Sequence, residues 1–216
     1  MASSYSTDLK LELMVTGENS GTWGDKTNTN LNLVQQAIAG YEAVTVSGTG
    51  DTALVMTNAA LSNARNAVIK LTGTITGNIT VSIPDGIEKT YIVENGTTGA
   101  FTVQFKTSSG TGPTFSATDK GIKVLYSDGT DVKDVLGNAS QINLVNQNEV
   151  RFEDASGGEY AGLKAPATVS ASYTLSLPTA DSANSGYGLT TDGAGQLSFT
   201  DVASTGKAIA MALVFG

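Results

Sequence analysis

Residues 149–201 read EVRFEDASGGEYAGLKAPATVSASYTLSLPTADSANSGYGLTTDGAGQLSFTD. Val150, Phe152, Tyr173, Leu175 and Leu177 alternate with small or polar neighbours, the period-two pattern of half-buried strands. Between these runs stand Ser156-Gly157-Gly158, Ala165-Pro166-Ala167, Pro178-Thr179-Ala180-Asp181 and Asp192-Gly193-Ala194-Gly195. Each is a turn signal: proline presets φ and cannot donate to a ladder, and glycine accepts a positive φ. The strands are therefore short, and short strands with a single apolar face have little to pack against in one copy. Such a segment is expected to find its core in further copies of itself.

Working outward, residues 208–215 alternate large and small: Ile209, Met211, Leu213 and Phe215 are separated by alanines and Val214. A strand with one bulky and one smooth face suits burial inside an oligomer, because exposure would cost solubility. The candidate oligomer core is accordingly Val150, Phe152, Leu163, Tyr173, Leu175, Leu177, Leu197, Phe199, Ile209, Met211, Leu213 and Phe215. Residues 41–137 read as a β-sandwich-like domain with strands expected at 43–46, 52–56, 67–71, 79–83, 90–93, 101–105, 122–126 and 132–136. Ile79, Val81 and Ile83, like Phe101, Val103 and Phe105, alternate strictly. Residues 138–147, rich in amides, read as a linker to a β module over 148–216. At the other end, residues 1–40 form an opening segment. Leu9, Leu11, Leu13 and Val15 suggest an extended piece with a leucine face, and Asn28 or Thr29 is the expected cap of a short helix running to Ala39. Leu31, Val34, Ala37 and Ile38 fall roughly on one side of that helix, and Gly40 is its stop signal.

The pieces VRF, GLKAP, YTLSLP and TTDGAGQLSF, in that order, resemble a module found near the distal ends of many bacteriophage tail fibres. The opening block LKLELMVTGENSGTWGDKTNTNLNLVQQAIAG is similar to virion-associated fibre proteins of tailed phages, especially marine ones. The resemblance implies a mainly β homotrimer with an intertwined C-terminal module, located on the phage particle and released by host lysis. Its partners would be two further copies of itself, other tail or head proteins of the virion, and a glycan or protein of the host surface. It also implies a particle-docking role for the N-terminal block, whose candidates are Leu9, Leu11, Leu13, Trp23, Leu31, Val34 and Ile38. A capsid-decorating spike or head fibre and a glycan-binding adhesin are the alternatives within the same setting.

Composition narrows the chemistry. A net charge of -8 with no basic run argues against nucleic-acid binding, which needs clustered Lys and Arg. No cysteine means no disulfide framework, so stability has to come from packing or association. The residues Met-Ala-Ser-Ser-Tyr-Ser-Thr lack the basic and apolar regions of a secretion signal, and the apolar run at 208–215 is too short for a helical membrane span. With no histidine, Ser-His-Asp and Cys-His constellations and the usual zinc sites are ruled out. Lys120, Lys123 and Lys133 have no paired nucleophile motif, and Glu149, Glu153, Asp154 and Glu159 read better as a charged strand edge than as a glycosidase pair. Asp128-Gly129-Thr130-Asp131 and Asp192-Gly193-Ala194-Gly195 read as hairpin turns rather than calcium loops. Neither catalytic residues nor a cofactor or metal are expected.

Overall fold

The computed structural model describes residues 3–137, 139, 142, 144–182, 185–201 and 213–214. The chain is mainly β with one long helix, and it divides into two units, Met1–Ile142 and Asn143–Gly216. The first unit opens with a two-rung antiparallel pair, β1 (Ser4–Tyr5) and β2 (Glu12–Leu13), followed by α1 (Trp23–Ala39). Strands β3 (Tyr41–Thr45), β4 (Thr52–Ala53), β5 (Val68–Thr72), β6 (Ile79–Ile83), β7 (Glu88–Asn95), β8 (Val103–Thr107), β9 (Thr114–Phe115), β10 (Ile122–Asp128) and β11 (Val132–Asp134) follow.

These strands form two sheets, ordered β11-β10-β7-β5-β3 and β4-β6-β8-β9. From β3 to β8 the chain changes sheet at every strand, and each strand lies parallel to the one laid down a turn earlier. A β-sandwich-like domain, with no strand order assigned, was the expectation for this region; the chain winds through its two sheets, solenoid fashion, and within them only β9, β10 and β11 return in antiparallel pairs. Val68 stands beside Ile92 and Ile79 beside Val103, a step of 24 residues in each sheet.

The step explains the alternation seen in the sequence. Ile79, Val81 and Ile83 point inward directly against Val103, Phe105 and Thr107 of the next turn, while Thr80 and Ser82 face outward. From the opposite sheet Ile69, Leu71, Tyr91, Val93 and Leu125 close the same core. Tyr91 meets Phe105 edge to face at 5.8 Å between ring centroids, and its hydroxyl donates to the Ala64 carbonyl at 3.0 Å. Full burial of each such side chain contributes about 1.5–3 kcal/mol. Polar side chains at the corners also repeat with the winding. Thr74 and Thr98 hydroxyls lie 2.8 Å apart, Asn78 accepts from the Thr102 N–H at 3.1 Å, and Asp85 accepts from the Ser109 N–H at 3.0 Å. At one corner Gly99 has φ +101° and lies so close to the Ile75 carbonyl that a Cβ would collide with it.

The opening segment departs from its expected form in two ways. Residues 7–9 turn back, with Lys10 at φ +54°, so the four residues Leu9, Leu11, Leu13 and Val15 share no strand face. Leu9 and Leu11 are half-buried; Leu13 and Val15 are exposed. The helix begins at Trp23 rather than after Asn28 or Thr29, and Leu33 is its one buried side chain. Its C-terminal stop at Gly40 holds, because a Cβ there would strike the Gln36 carbonyl and the Asn66 side chain.

Among the described residues, the second unit contains two hairpins, β12 (Val150–Glu153) with β13 (Tyr160–Leu163) and β14 (Tyr187–Thr191) with β15 (Leu197–Asp201). The turns Ser156-Gly157-Gly158 and Asp192-Gly193-Ala194-Gly195 fall between their strands as the sequence suggests. Asp192 Oδ1 holds the second turn by accepting from the N–H groups of Ala194 at 2.7 Å and Gln196 at 3.1 Å. The alternating run at 173–177 is not a strand; it pairs only through Ser176, which bridges Gln196.

Candidate functional site

The N-terminal block is held on the first unit by an arginine that the sequence reading did not single out. Arg65, at the end of a 3-10 turn (Asn63–Arg65), is fully buried. Its guanidinium donates from Nε to the Leu9 carbonyl at 3.0 Å and from Nη2 to the Thr57 carbonyl at 2.7 Å. Nη1 donates to Gln36 Oε1 at 3.2 Å, to Ser62 Oγ at 3.3 Å and to the Ala60 carbonyl. These acceptors are all neutral, and burial pushes the guanidinium below its ordinary value. The planar fork of donors thus ties the opening segment, α1 and the loop at 57–62 together. Two further bonds fasten the same segment: the Glu88 N–H donates to Asp8 at 2.9 Å, and the Ala59 N–H donates to the Lys10 carbonyl at 2.9 Å.

On the helix side, Asn30 completes a reciprocal pair with the Glu12 backbone, accepting from its N–H at 3.0 Å and donating to its carbonyl at 2.8 Å. The Glu12 carboxylate accepts from Ser3 Oγ at 2.7 Å and pairs with Lys26 Nζ at 3.0 Å. The hydroxyl of Ser3 and then the ammonium of Lys26 hold that carboxylate below its ordinary range. At 100° per residue, the positions that fix α1 to the protein, Lys26, Asn30 and Leu33, occupy one side. Leu31 and Ile38 lie on the other and are 61% and 74% exposed, while Trp23, at the first turn and nearer the side of Asn30, is 65% exposed. Val34, between the two sides, is half-buried. Of the expected group Leu31, Val34, Ala37 and Ile38, the first two and Ile38 share a face that looks away from the core, whereas Ala37 falls on the side of Lys26 and Asn30, and Leu33 packs inward.

A cavity of 530 Å³ lies beside the C-terminal half of α1, lined among others by Asn32, Gln35, Gln36, Tyr41, Leu61 and Asn66. Its lining carries amides, a phenol and aliphatic groups but no ionisable acid or base near neutral pH. Such a lining can bind hydroxyl-rich or peptide-like groups; proton transfer would need other residues.

In the second unit the structure places Val150, Phe152, Leu163, Leu197 and Phe199 of the predicted core on hairpins and Tyr173, Leu175 and Leu177 outside them, and buries none of these. Val150, Phe152, Leu163, Tyr173, Leu175 and Leu177 are exposed, Leu197 and Phe199 half-exposed. Leu213 is exposed, and it and Val214 are helical rather than extended. Ile209, Met211 and Phe215 lie outside the described residues.

Five of the charged groups weighed as catalysts, Lys120, Lys123, Lys133, Glu149 and Asp154, have structural partners. Lys120 donates to Thr97 Oγ1 at 3.2 Å and the Gly99 carbonyl at 3.0 Å; Lys123 bridges Asp119 and Asp134 at 3.3 Å each; Lys133 pairs with Asp128 at 2.5 Å. Glu149 pairs with Arg151 at 2.6 Å, and that guanidinium lies 4.1 Å from the Tyr160 ring centroid. Asp154 accepts from the Ser156 N–H at 3.0 Å and so holds a turn. Among the described residues, no three His, Cys, Asp or Glu side chains are grouped to hold a metal. No helix among them is long and apolar enough to cross a membrane. Comparison of the chain with family models, curated proteins and solved structures finds no match.

Proposed function

We propose that this chain is a structural protein of a tailed-phage particle, a homotrimeric tail fibre or fibre adaptor that supports host attachment. Its action is mechanical: the N-terminal block seats the protein on the particle, and three copies of the β module complete one another's core. The observation that carries the reading is the second unit, in which the apolar side chains of both hairpins are exposed or half-exposed and none is buried. Monomeric soluble proteins rarely leave so much apolar surface uncovered, and symmetric association is the usual solution. The fibre-like order of the pieces around those hairpins adds to it, as does the exposed Trp23, since tryptophan is enriched in interface hot spots. Light scattering on the full chain is expected to give a trimer, and truncation of residues 208–216 to give monomer or aggregate. Trp23→Ala is expected to abolish incorporation into particles while leaving the trimer intact. A monomer at micromolar concentration would remove the reading.

The cavity beside α1 favours a second reading, a glycan-binding adhesin, because its amide and aromatic lining suits sugar hydroxyls and faces. Binding of the purified protein to host cells or their lipopolysaccharide, lost in Tyr41→Ala, would support that reading; binding to virion proteins alone favours the first. Particle images labelled on this protein separate a tail fibre from a capsid spike.

A further inference from the structure

Leu31, Val34 and Ile38 are spaced by three and then four residues, which is the a–d–a spacing of helices that pack along a shared seam. In this chain that seam points away from the core that Leu33 enters. A separate apolar row runs across the sheet that follows, on the side of α1 where Tyr41 lines the cavity with Asn32 and Gln36. Tyr41, the first residue of β3, is exposed and pairs in register with Val68, which pairs with Ile92, which pairs with Val124. Residues paired across a sheet point to the same side. The inward neighbours Ile69, Leu71, Tyr91, Val93 and Leu125 are buried, so this row of four lies on the outer surface.

A second property limits what can cover this surface. From Thr27 to Tyr41 there is no charged residue, in a chain whose net charge is -8. A partner recognised through charge finds nothing to pair with here. A second copy of the same helix meets matching apolar positions flanked by Asn and Gln, without the like-charge repulsion that most of this acidic surface would impose.

We infer that the outer face of α1, with Leu31, Val34 and Ile38 at its centre, is a self-association seam on which copies of this chain meet. The inference rests on the homotrimer reading and locates one of its contacts in the first unit. A helix of 17 residues is too short to hold such an assembly alone. Where other parts of the chain already gather the copies, the seam closes as an intramolecular step at high effective concentration. The seam leaves Trp23, together with Tyr5, Leu13, Met14 and Val15 around β1 and β2, all exposed, as the apolar surface for the particle.

The absence of cysteine makes the test direct, since a single introduced thiol has only its symmetry mates to pair with. Full-length Ile38→Cys and Asn32→Cys are compared under mild oxidation; Asn32 is exposed on another face of the same helix. Ile38→Cys is expected to place up to about two-thirds of chains in disulfide-linked pairs, because one of three thiols is always left over, and Asn32→Cys several-fold fewer. Leu31→Glu with Ile38→Glu, both exposed in the single chain, is expected to raise the dissociation concentration of the trimer at least about tenfold. A trimer in which the two thiols cross-link alike, or in which the double glutamate variant dissociates as the parent does, overturns the seam and leaves the trimer standing. A monomeric parent overturns both.

Discussion

The two units use the same strand vocabulary and reach opposite ends. In the first, alternating runs such as Ile79–Ile83 and Val103–Thr107 are stacked by a 24-residue step, so every inward side chain meets another from the turn before or from the facing sheet. In the second, Val150–Glu153 and Leu197–Asp201 alternate just as well but sit in isolated hairpins, and none of the described residues there is buried. Alternation therefore specifies which side of a strand is apolar, whereas burial depends on whether the chain returns to cover that side. A two-stranded hairpin alone is marginal at best.

The most direct way to break this contrast is to separate the units. Residues 1–142 alone are expected to melt cooperatively at a midpoint independent of concentration, whereas residues 143–216 alone should show ordered β structure only where they associate, with circular dichroism that fades on dilution. A concentration-independent fold for the second piece would erase the distinction. Within the intact chain, Phe105→Ala, which opens a cavity beside Tyr91, is expected to cost about 3–5 kcal/mol in denaturant unfolding of the first unit. The matched change Phe152→Ala should leave that transition unmoved and weaken assembly instead. Next in size, Arg65→Met should cost about 3 kcal/mol, because the carbonyls of Leu9, Thr57 and Ala60 lose a buried donor. Faster hydrogen exchange at residues 3–20 would accompany it, and exchange confined elsewhere would contradict the tie.

The smallest expected effect comes from Lys89, whose ammonium lies 4.0 Å from the Tyr91 ring centroid and donates to the Asn66 carbonyl at 3.0 Å. Burial pushes it down to about 8 from its ordinary 10.5, so between those pH values the unfolded chain binds more protons than the folded one. Stability of the first unit should therefore rise with pH from about 8 to 10, by on the order of a few degrees in melting midpoint. Above the ordinary tyrosine value of 10.0 the trend reverses, because burial pushes the Tyr91 hydroxyl up and the unfolded chain ionises first. Lys89→Met should flatten the rise; an unchanged slope would assign it to another group.

Much of the strand content could be read from residue order, since Ile79–Ile83 falls where its alternation predicts and most other strands of the first unit lie within a few residues of expectation. What could not be read was the parallel winding. Its signal is a repeat, Val68-Ile69 against Ile92-Val93 and Ile79-x-Val81 against Val103-x-Phe105, too degenerate to stand out without the register. The helix start was missed because Thr22 makes no side-chain cap, so the usual marker was absent, and Asn28 and Thr29 offered misleading ones. Arg65 was passed over for a different reason: a lone arginine before an apolar strand looks like a surface charge, and its burial depends on carbonyls up to 56 residues away. The outward set of α1 was legible as a group, but which way it faced required Leu33 to be seen packing inward.

The 24-residue step also bears on how such a protein changes length. A duplication of one full step, placed in register, inserts one strand into each sheet and presents its neighbours with the same inward pattern they already accept. The stack would grow by about 4.8 Å per insertion, with the Arg65 tie at one end and the antiparallel β9–β11 strands at the other unchanged. Length in this fold is thus a quantity that can be adjusted in whole increments, and neither end of the stack need be redesigned when it is.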